Sequence, residues 1–186
     1  MENKTIIKLA SQLSGKVKIS VKAKKPLLSS AFLVKKDGIV LFDEKYSLNS
    51  DEFSGEFCVE NPRLWSLSSP ELYEYNARIT YADGEKEELN GKFGFRTLGQ
   101  DGKNLLVNGK PVFVRGYIRG AKAHDHANLL GLPLKEFYAK NLKEAKKFGF
   151  NFVRFHSVVP EEELFEAADE VGMLVHVELR PPHDIY

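Results

Sequence analysis

Gly149-Phe150-Asn151-Phe152-Val153-Arg154-Phe155 is the stretch on which the fold turns. Phe150 to Phe155 reads as a strand, and it stands between two segments of helical rhythm. Before it, Leu134, Phe137, Tyr138, Leu142, Ala145 and Phe148 fall near one face of a helix from about Leu134 to Phe148. Gly149 sits where a left-handed C-cap is expected. After it, a second helix is predicted from about Glu161 to Val171. Pro160 suits its first turn, Glu161, Glu162 and Glu163 suit the positive end of its dipole, and Gly172 ends it. Met173 to Leu179 is a nearly continuous apolar run, the pattern of a strand covered on both faces.

Upstream, Leu105 to Val107, the turn Asn108-Gly109, and Pro111 to Val114 read as a hairpin running into a further strand. The second half of the chain is thus β–α–β–α–β, which implies parallel strands joined by right-handed crossovers. This order fits a doubly wound sheet or the opening of a (β/α)₈ barrel. No glycine-rich phosphate loop follows the first strand, which disfavours a nucleotide-binding sheet. Residues 98–186 number 89, whereas a complete barrel takes roughly 200 or more. A barrel reading therefore gives this chain the first three strands and two helices.

The rhythm before Thr97 is different. Val17, Ile19 and Val21 alternate with lysines and a serine. Phe53, Gly55, Phe57 and Val59 alternate with polar residues and Cys58, and Tyr73, Tyr75, Ala77, Ile79 and Tyr81 follow the same rule. Period two with one apolar face marks half-buried antiparallel strands. Asp37-Gly38, Asp83-Gly84 and Asn90-Gly91 supply turn signals. Six or seven strands over residues 1–97 suggest an immunoglobulin-like β-sandwich. The expected fold class is therefore multidomain, β plus α/β: a sandwich over 1–97, followed over 98–186 by either a doubly wound sheet or a partial TIM barrel.

Composition removes several functions. The chain has 186 residues, with 27 Lys plus Arg against 26 Asp plus Glu and a formal charge of +1. That balance argues against a general nucleic-acid binder, which needs a cationic surplus. The single cysteine, Cys58, can form neither an internal disulfide nor a cysteine metal cluster. No apolar run approaches the roughly 18 residues of a membrane span. Met1 to Gly15 has no apolar signal-peptide core, so a cytoplasmic protein is expected, or a periplasmic or secreted one if a leader has been removed.

Short motifs then add a family likeness. Asn61-Pro62-Arg63-Leu64-Trp65 followed by Ser69-Pro70-Glu71-Leu72-Tyr73, Phe93-Gly94-Phe95-Arg96, Leu106-Val107-Asn108-Gly109-Lys110-Pro111-Val112, Val114-Arg115-Gly116, Asn151-Phe152-Val153-Arg154 and Asp169-Glu170-Val171-Gly172-Met173-Leu174-Val175 occur in this order. The set resembles glycoside hydrolase family 2, the family of β-galactosidases, β-glucuronidases and β-mannosidases. The first two motifs resemble the end of its immunoglobulin-like domain, and the others the entry and first three strands of its barrel. Two places depart from the family pattern. Arg115-Gly116-Tyr117-Ile118-Arg119-Gly120 lacks the Asn and His of R-G-x-N-R-H, and His156 stands one place earlier than the His of S-H-Y-P. The resemblance implies retaining hydrolysis of β-glycosides by two Glu residues on the fourth and seventh barrel strands. Such enzymes hold two carboxyl groups about 5–5.5 Å apart across the bond. Neither strand falls within residues 98–186, so the chain alone is expected to be inactive.

In barrels, functional groups gather at the carboxyl ends of the strands and in the loops that follow. By that rule Arg119, His124, Asp125, His126 and Asn128, in a predicted loop after the first strand, can hydrogen-bond sugar hydroxyls or simply make turns. His124 and His126 form an H-x-H pair that could hold a divalent metal in a barrel hydrolase of another kind. No further ligand pattern follows them. Arg154 and His156 end the second strand, and Glu178 ends the third. A buried Arg needs a carboxylate, so Arg154 is expected either to pair with Glu178 or, by resemblance, to orient the catalytic nucleophile. His156 reads equally as a hydrogen-bonded core residue or a substrate ligand. Glu178 reads as a supporting carboxylate, and His183 and Asp184 follow in the next loop.

Tyr73, Tyr75 and Tyr81 offer an aromatic sugar platform, although their period of two favours a sheet core. The expected substrate is carbohydrate, with no cofactor, nucleic acid or membrane partner. An unclosed barrel also implies self-association or a complementing chain over its open edge, with the inward faces of Val112, Val114, Val153, Phe155, Val175 and Val177 seeking an opposite wall. A stand-alone carbohydrate-binding or interaction module is the alternative to the enzyme fragment.

Overall fold

The computed structural model describes residues 4–120 and 123–179; the side chains of residues 123–125 lie outside that description. The chain divides into two units. One holds the chain through Leu64 together with Glu71–Thr97, and the other holds Trp65–Pro70 and the chain from Leu98 onward.

The first unit is all β: β1 (Ile6–Ser11), β2 (Lys16–Lys36), β3 (Ile39–Cys58), β4 (Tyr73–Tyr81) and β5 (Lys86–Phe93). The separate short strands expected from alternation are fused, because β2 and β3 each run through two layers. Val17–Lys22 of β2 pair with β1 on one side, and Lys16–Lys22 pair with Glu52–Cys58 of β3 on the other. After a register shift between Lys22 and Leu27, the rest of β2 pairs with β4 and with the first part of β3, and β5 joins β4. The burial phase changes with the shift: Val17, Ile19, Val21 and Leu27 are buried before it settles, Ser30, Phe32 and Val34 after. An irregularity of this kind bends a strand and re-aims its side chains, so both parts of β2 face one core.

That core joins Val17, Ile19, Val21 and Phe57 to Phe32, Val34, Tyr73, Ala77, Ile79, Tyr81, Phe93 and Phe95. Phe57 meets Phe93 edge-on with centroids 6.3 Å apart, and Phe32 stacks near Phe53 at 6.1 Å. The arrangement is sandwich-like and its interior is aromatic. Tyr73 and Tyr81 are 2% and 0% exposed, so they are core residues and no sugar platform. The Tyr81 hydroxyl is bonded to Thr5 Oγ1 at 2.5 Å and donates to Glu87.

The second unit opens with a small antiparallel sheet, β6 (Leu98–Asp101), β7 (Asn104–Val107) and β8 (Lys110–Val112). Asn108 and Gly109, both at positive φ, make the two-residue turn between β7 and β8. Next come β9 (Gly116–Arg119), α1 (Ala123–Leu129), α2 (Leu134–Lys147), β10 (Phe152–Phe155), α3 (Glu162–Val171) and β11 (Leu174–Val177). Strands β9, β10 and β11 form a parallel sheet in the order β11-β10-β9.

Three boundaries differ from expectation. The strand anticipated at Val114-Arg115-Gly116 begins at Gly116, because Arg115 N–H is taken by the Asn151 side chain and its carbonyl by Asn151 N–H. Pro160 precedes the N-cap Glu161 and lies outside the first turn of α3. β11 is not buried along both faces: Leu174 is buried, but His176 on the same face is exposed, beside half-buried Val175 and Val177. Among the described residues no helix is long and apolar enough to cross a membrane.

Candidate functional site

Parallel register decides which side chains share a face. Gly116, Phe152 and Leu174 are partners, as are Ile118, Arg154 and His176, while Tyr117, Val153 and Val175 lie between them on the other face. The second face packs on the helices. Val153 and Phe155 are buried in a cluster with Phe137, Tyr138, Leu142, Leu164, Ala167 and Ala168, and Tyr117 and Val175 pack against it.

This corrects the expectation that Val153, Phe155, Val175 and Val177 look away from the helices. The apolar members of the alternation belong to the helix side, because two amphipathic helices need an apolar floor. The opposite face carries the mixed set: Ile118 is 65% exposed, and Phe152 stacks on His176 with centroids 6.2 Å apart.

At the carboxyl ends of β10 and β11 this mixed face becomes polar. His156 N–H donates to the Arg119 carbonyl and Glu178 N–H to the Phe155 carbonyl, so the ladder continues one step past the strands and sets His156 beside Glu178. Arg154 Nη2 lies 2.9 Å from Glu178 Oε1. His156 Nδ1 lies 2.5 Å from Glu178 Oε2, and Ser157 N–H donates to the same oxygen at 3.0 Å.

Both carboxylate oxygens of Glu178 are therefore engaged. Its partial burial opposes ionisation more than any other single influence acts. Together the His156 and Ser157 hydrogen bonds and the charge of Arg154 outweigh it and hold the carboxyl below the usual Glu range. The pairing of Arg154 with Glu178 is as anticipated. His156 is no core residue: its side chain is 60% exposed.

The residues after β9 are placed differently. Arg119, the last residue of β9, lies on the helix side, with its guanidinium carbon 5.3 Å from the centre of the Phe137 ring. The expected loop carrying His124, Asp125, His126 and Asn128 is helix α1. His126 and Asn128 are exposed, and the His126 ring lies 6.4 Å from Phe137. The side chains of His124 and Asp125, and His183 and Asp184 altogether, lie outside the described residues. Among the described residues no group of three or more His, Cys, Asp or Glu could hold a metal ion. The structure thus brings Arg154, His156 and Glu178 together and leaves the Arg119 side chain on the opposite face of the sheet.

Sequence reasoning missed Ser157 and His176. Ser157 has φ of 54°, a conformation rare for a residue with a side chain, and this turns its N–H onto Glu178. Nothing in the sequence signals it. His176 was hidden by its apolar neighbours.

A sandwich-like β unit and an α/β unit with charged groups collected at the carboxyl ends of its parallel strands define a two-unit chain of mixed β and α/β class. Comparison with known proteins is more specific. Residues 3–96 match the model of glycosyl hydrolases family 2. A β-galactosidase of Kluyveromyces lactis is 28% identical over 155 residues, covering 79% of this chain and 15% of the relative. A β-galactosidase of Lactococcus lactis subsp. lactis is 29% identical over 134 residues, covering 72% and 13%. Among solved structures, the Parabacteroides merdae β-glucuronidase superposes with a TM-score of 0.74 at 24% identity, over 95% of this chain and 24% of that one. The Bacteroides uniformis β-glucuronidase 3 gives 0.73 at 22% identity, over 95% and 22%. The chain belongs to glycosyl hydrolases family 2, and it spans less than a fifth of the length of these two curated relatives.

Proposed function

We propose that the chain is part of a retaining glycoside hydrolase acting on β-glycosidic bonds. Residues 1–97 supply its immunoglobulin-like domain, and residues 98–186 the first three strands of a (β/α)₈ barrel. The observation that carries the reading is the sheet β9-β10-β11: sequential, parallel, helices on one face, and Arg154, His156 and Glu178 at its carboxyl ends on the other. Sequential neighbours are what a barrel requires, and that end is where barrels place their chemistry.

Hydrolysis with retention needs an acid/base and a nucleophilic carboxylate about 5–5.5 Å apart. Glu178 suits neither role, since Arg154, His156 and Ser157 occupy both its oxygens. It is a supporting group, and the catalytic pair belongs to strands outside these 186 residues. Arg154, His156 and Glu178 form one part of the sugar pocket. Arg119 ends β9 with its side chain on the helix side, away from this pocket, and the segment carrying His124, Asp125, His126 and Asn128 follows β9 at the same end of the sheet.

Among the described residues β11 pairs with β10 alone and Ile118 stands exposed on the face away from the helices, which calls for further strands, from the rest of the enzyme or a second copy. Purified 186-residue chain should release no aglycone from aryl β-glucuronides, β-galactosides or β-mannosides above a mock preparation. Turnover by the chain alone would overturn the assignment of the catalytic pair to other strands.

A further inference from the structure

Glu178 spends both oxygens on neighbours, whereas the imidazole it holds remains mostly in solvent. From this arrangement we infer that Glu178 is a positioning residue that fixes His156 with its proton on Nδ1, leaving Nε2 outward as the acceptor for a sugar hydroxyl. The assignment rests on the glycosidase reading for the identity of the ligand. The fixed imidazole rests only on the geometry.

Glu178 Oε2 receives the Ser157 N–H at 3.0 Å and stands 2.5 Å from His156 Nδ1. A carboxylate oxygen is an acceptor, so in the neutral ring the proton shared with it belongs to Nδ1. The other nitrogen then carries a lone pair. Both backbones are pinned, His156 N–H on the Arg119 carbonyl and Glu178 N–H on the Phe155 carbonyl, so neither side chain can drift along its strand.

The charges around the ring favour a neutral ligand. Arg154 is 2.9 Å from Glu178 Oε1 and balances its charge. His176, beside Arg154 in register, is stacked on Phe152, and the Arg119 guanidinium is turned to Phe137 on the far side of the sheet. His156 is thus left next to a balanced ion pair with an acceptor nitrogen exposed. Sugar hydroxyls are donors of matching chemistry, and a uronate carboxylate, an acceptor only, is not.

The test is ¹⁵N-detected imidazole NMR on the full chain at mildly alkaline pH. The expected result is the Nδ1–H form of His156, lost in Glu178→Ala and restored in Glu178→Gln, whose amide oxygen still accepts. Amide exchange of Phe152–Phe155 should stay unchanged and thereby report an intact sheet. An Nε2–H tautomer in the parent chain, or the same tautomer in Glu178→Ala with the sheet intact, would overturn the role of Glu178. A neutral methyl β-pyranoside should move the Nε2 resonance and leave Nδ1 in place, and the methyl β-uronide should match it only through its hydroxyls. A fixed Nδ1–H ring whose Nε2 ignores both sugars would overturn the ligand while leaving the glycosidase reading to its turnover assay.

Discussion

The indole N–H of Trp65 donates to the main-chain carbonyl of Asp169 at 2.7 Å, across 104 residues of sequence. The Trp65 carbonyl in turn accepts from Asn108 Nδ2 at 2.9 Å. Trp65 is fully buried, and it belongs with the second unit although it lies between residues of the first in the chain. A buried Trp needs a partner for its N–H, and the last turn of α3 supplies one. Trp65→Phe keeps much of the packing and loses the donor, so it should cost about 1–3 kcal/mol. Trp65→Ala also leaves a cavity and should cost about 3–5 kcal/mol. Urea unfolding followed by far-UV circular dichroism gives both values, and a neutral Trp65→Phe would show that the hydrogen bond contributes nothing.

Two glycines end helices with different surroundings. Gly172 follows α3 at φ 77°, and a Cβ there would lie 2.7 Å from the Leu67 carbonyl oxygen and 3.1 Å from Lys146 Nζ. Lys146 is not free to yield, since it donates to the carbonyls of Leu67, Val171 and Gly172. Gly149 follows α2 at φ 85°, but nothing lies nearer than 3.8 Å to its Cβ position. Gly149→Ala should cost only the left-handed backbone penalty, about 1–2 kcal/mol. Gly172→Ala should cost more, because backbone must move. Equal midpoints in urea for the two variants would contradict the close approach.

At the β4–β5 hairpin, Lys24 and Lys25 meet Asp83 and Glu85; Lys24 Nζ is 2.8 Å from Glu85 Oε1, and Lys25 bonds both carboxylates. The hydrogen bond from Lys25 holds Asp83 below the usual carboxyl range, and that from Lys24 does most to lower Glu85. Glu85 and Asp83 respectively raise Lys24 and Lys25. The lowered carboxyls stabilise the fold above their ordinary values and lose that contribution as pH falls through their folded ones. The raised lysines stabilise it below their ordinary values and lose that contribution as pH rises through their folded ones. Stability should therefore be flat around neutrality and decline on the acid side. The double change Asp83→Asn and Glu85→Gln should shallow the acid limb, and salt should reduce the difference because both carboxylates are exposed. An unchanged acid limb in the double variant would show that the cluster contributes nothing.

Local signals were readable where one short segment decides the outcome. Helices α2 and α3 end at Gly149 and Gly172 as their sequences indicate, and Asp37-Gly38 and Asn108-Gly109 are hairpin turns. Asn90-Gly91 was misleading. It lies inside β5, where the outer end of the Tyr75 ring packs over the bare backbone, 2.6 Å from the position a Cβ would take. That packing comes from a neighbouring strand, which local sequence does not encode. The seven residues of α1 give too few turns for a period to emerge. At the site, Arg154 and Glu178 were legible as charges in apolar strands. The turn at Ser157 depends on backbone conformation and was not.

The two faces of the parallel sheet should respond oppositely to truncation. Phe155 is 2% exposed and packed among residues of the helix-side cluster, and Ile118 is 65% exposed on the other face. Phe155→Ala should cost about 3–5 kcal/mol, as for other buried aromatic side chains. Ile118→Ala should stay within about 0.5 kcal/mol, as for exposed positions. Ile118→Lys should be equally mild in this chain, since the new ammonium remains in water. In a longer chain whose further strands cover that face, the same Lys would be buried beside Arg154, and an unpaired buried charge is strongly destabilising. Measuring Ile118→Lys in both settings separates the face from its cover. A severe loss in the 186-residue chain would mean that this face is already buried in solution, by a second copy that light scattering would detect.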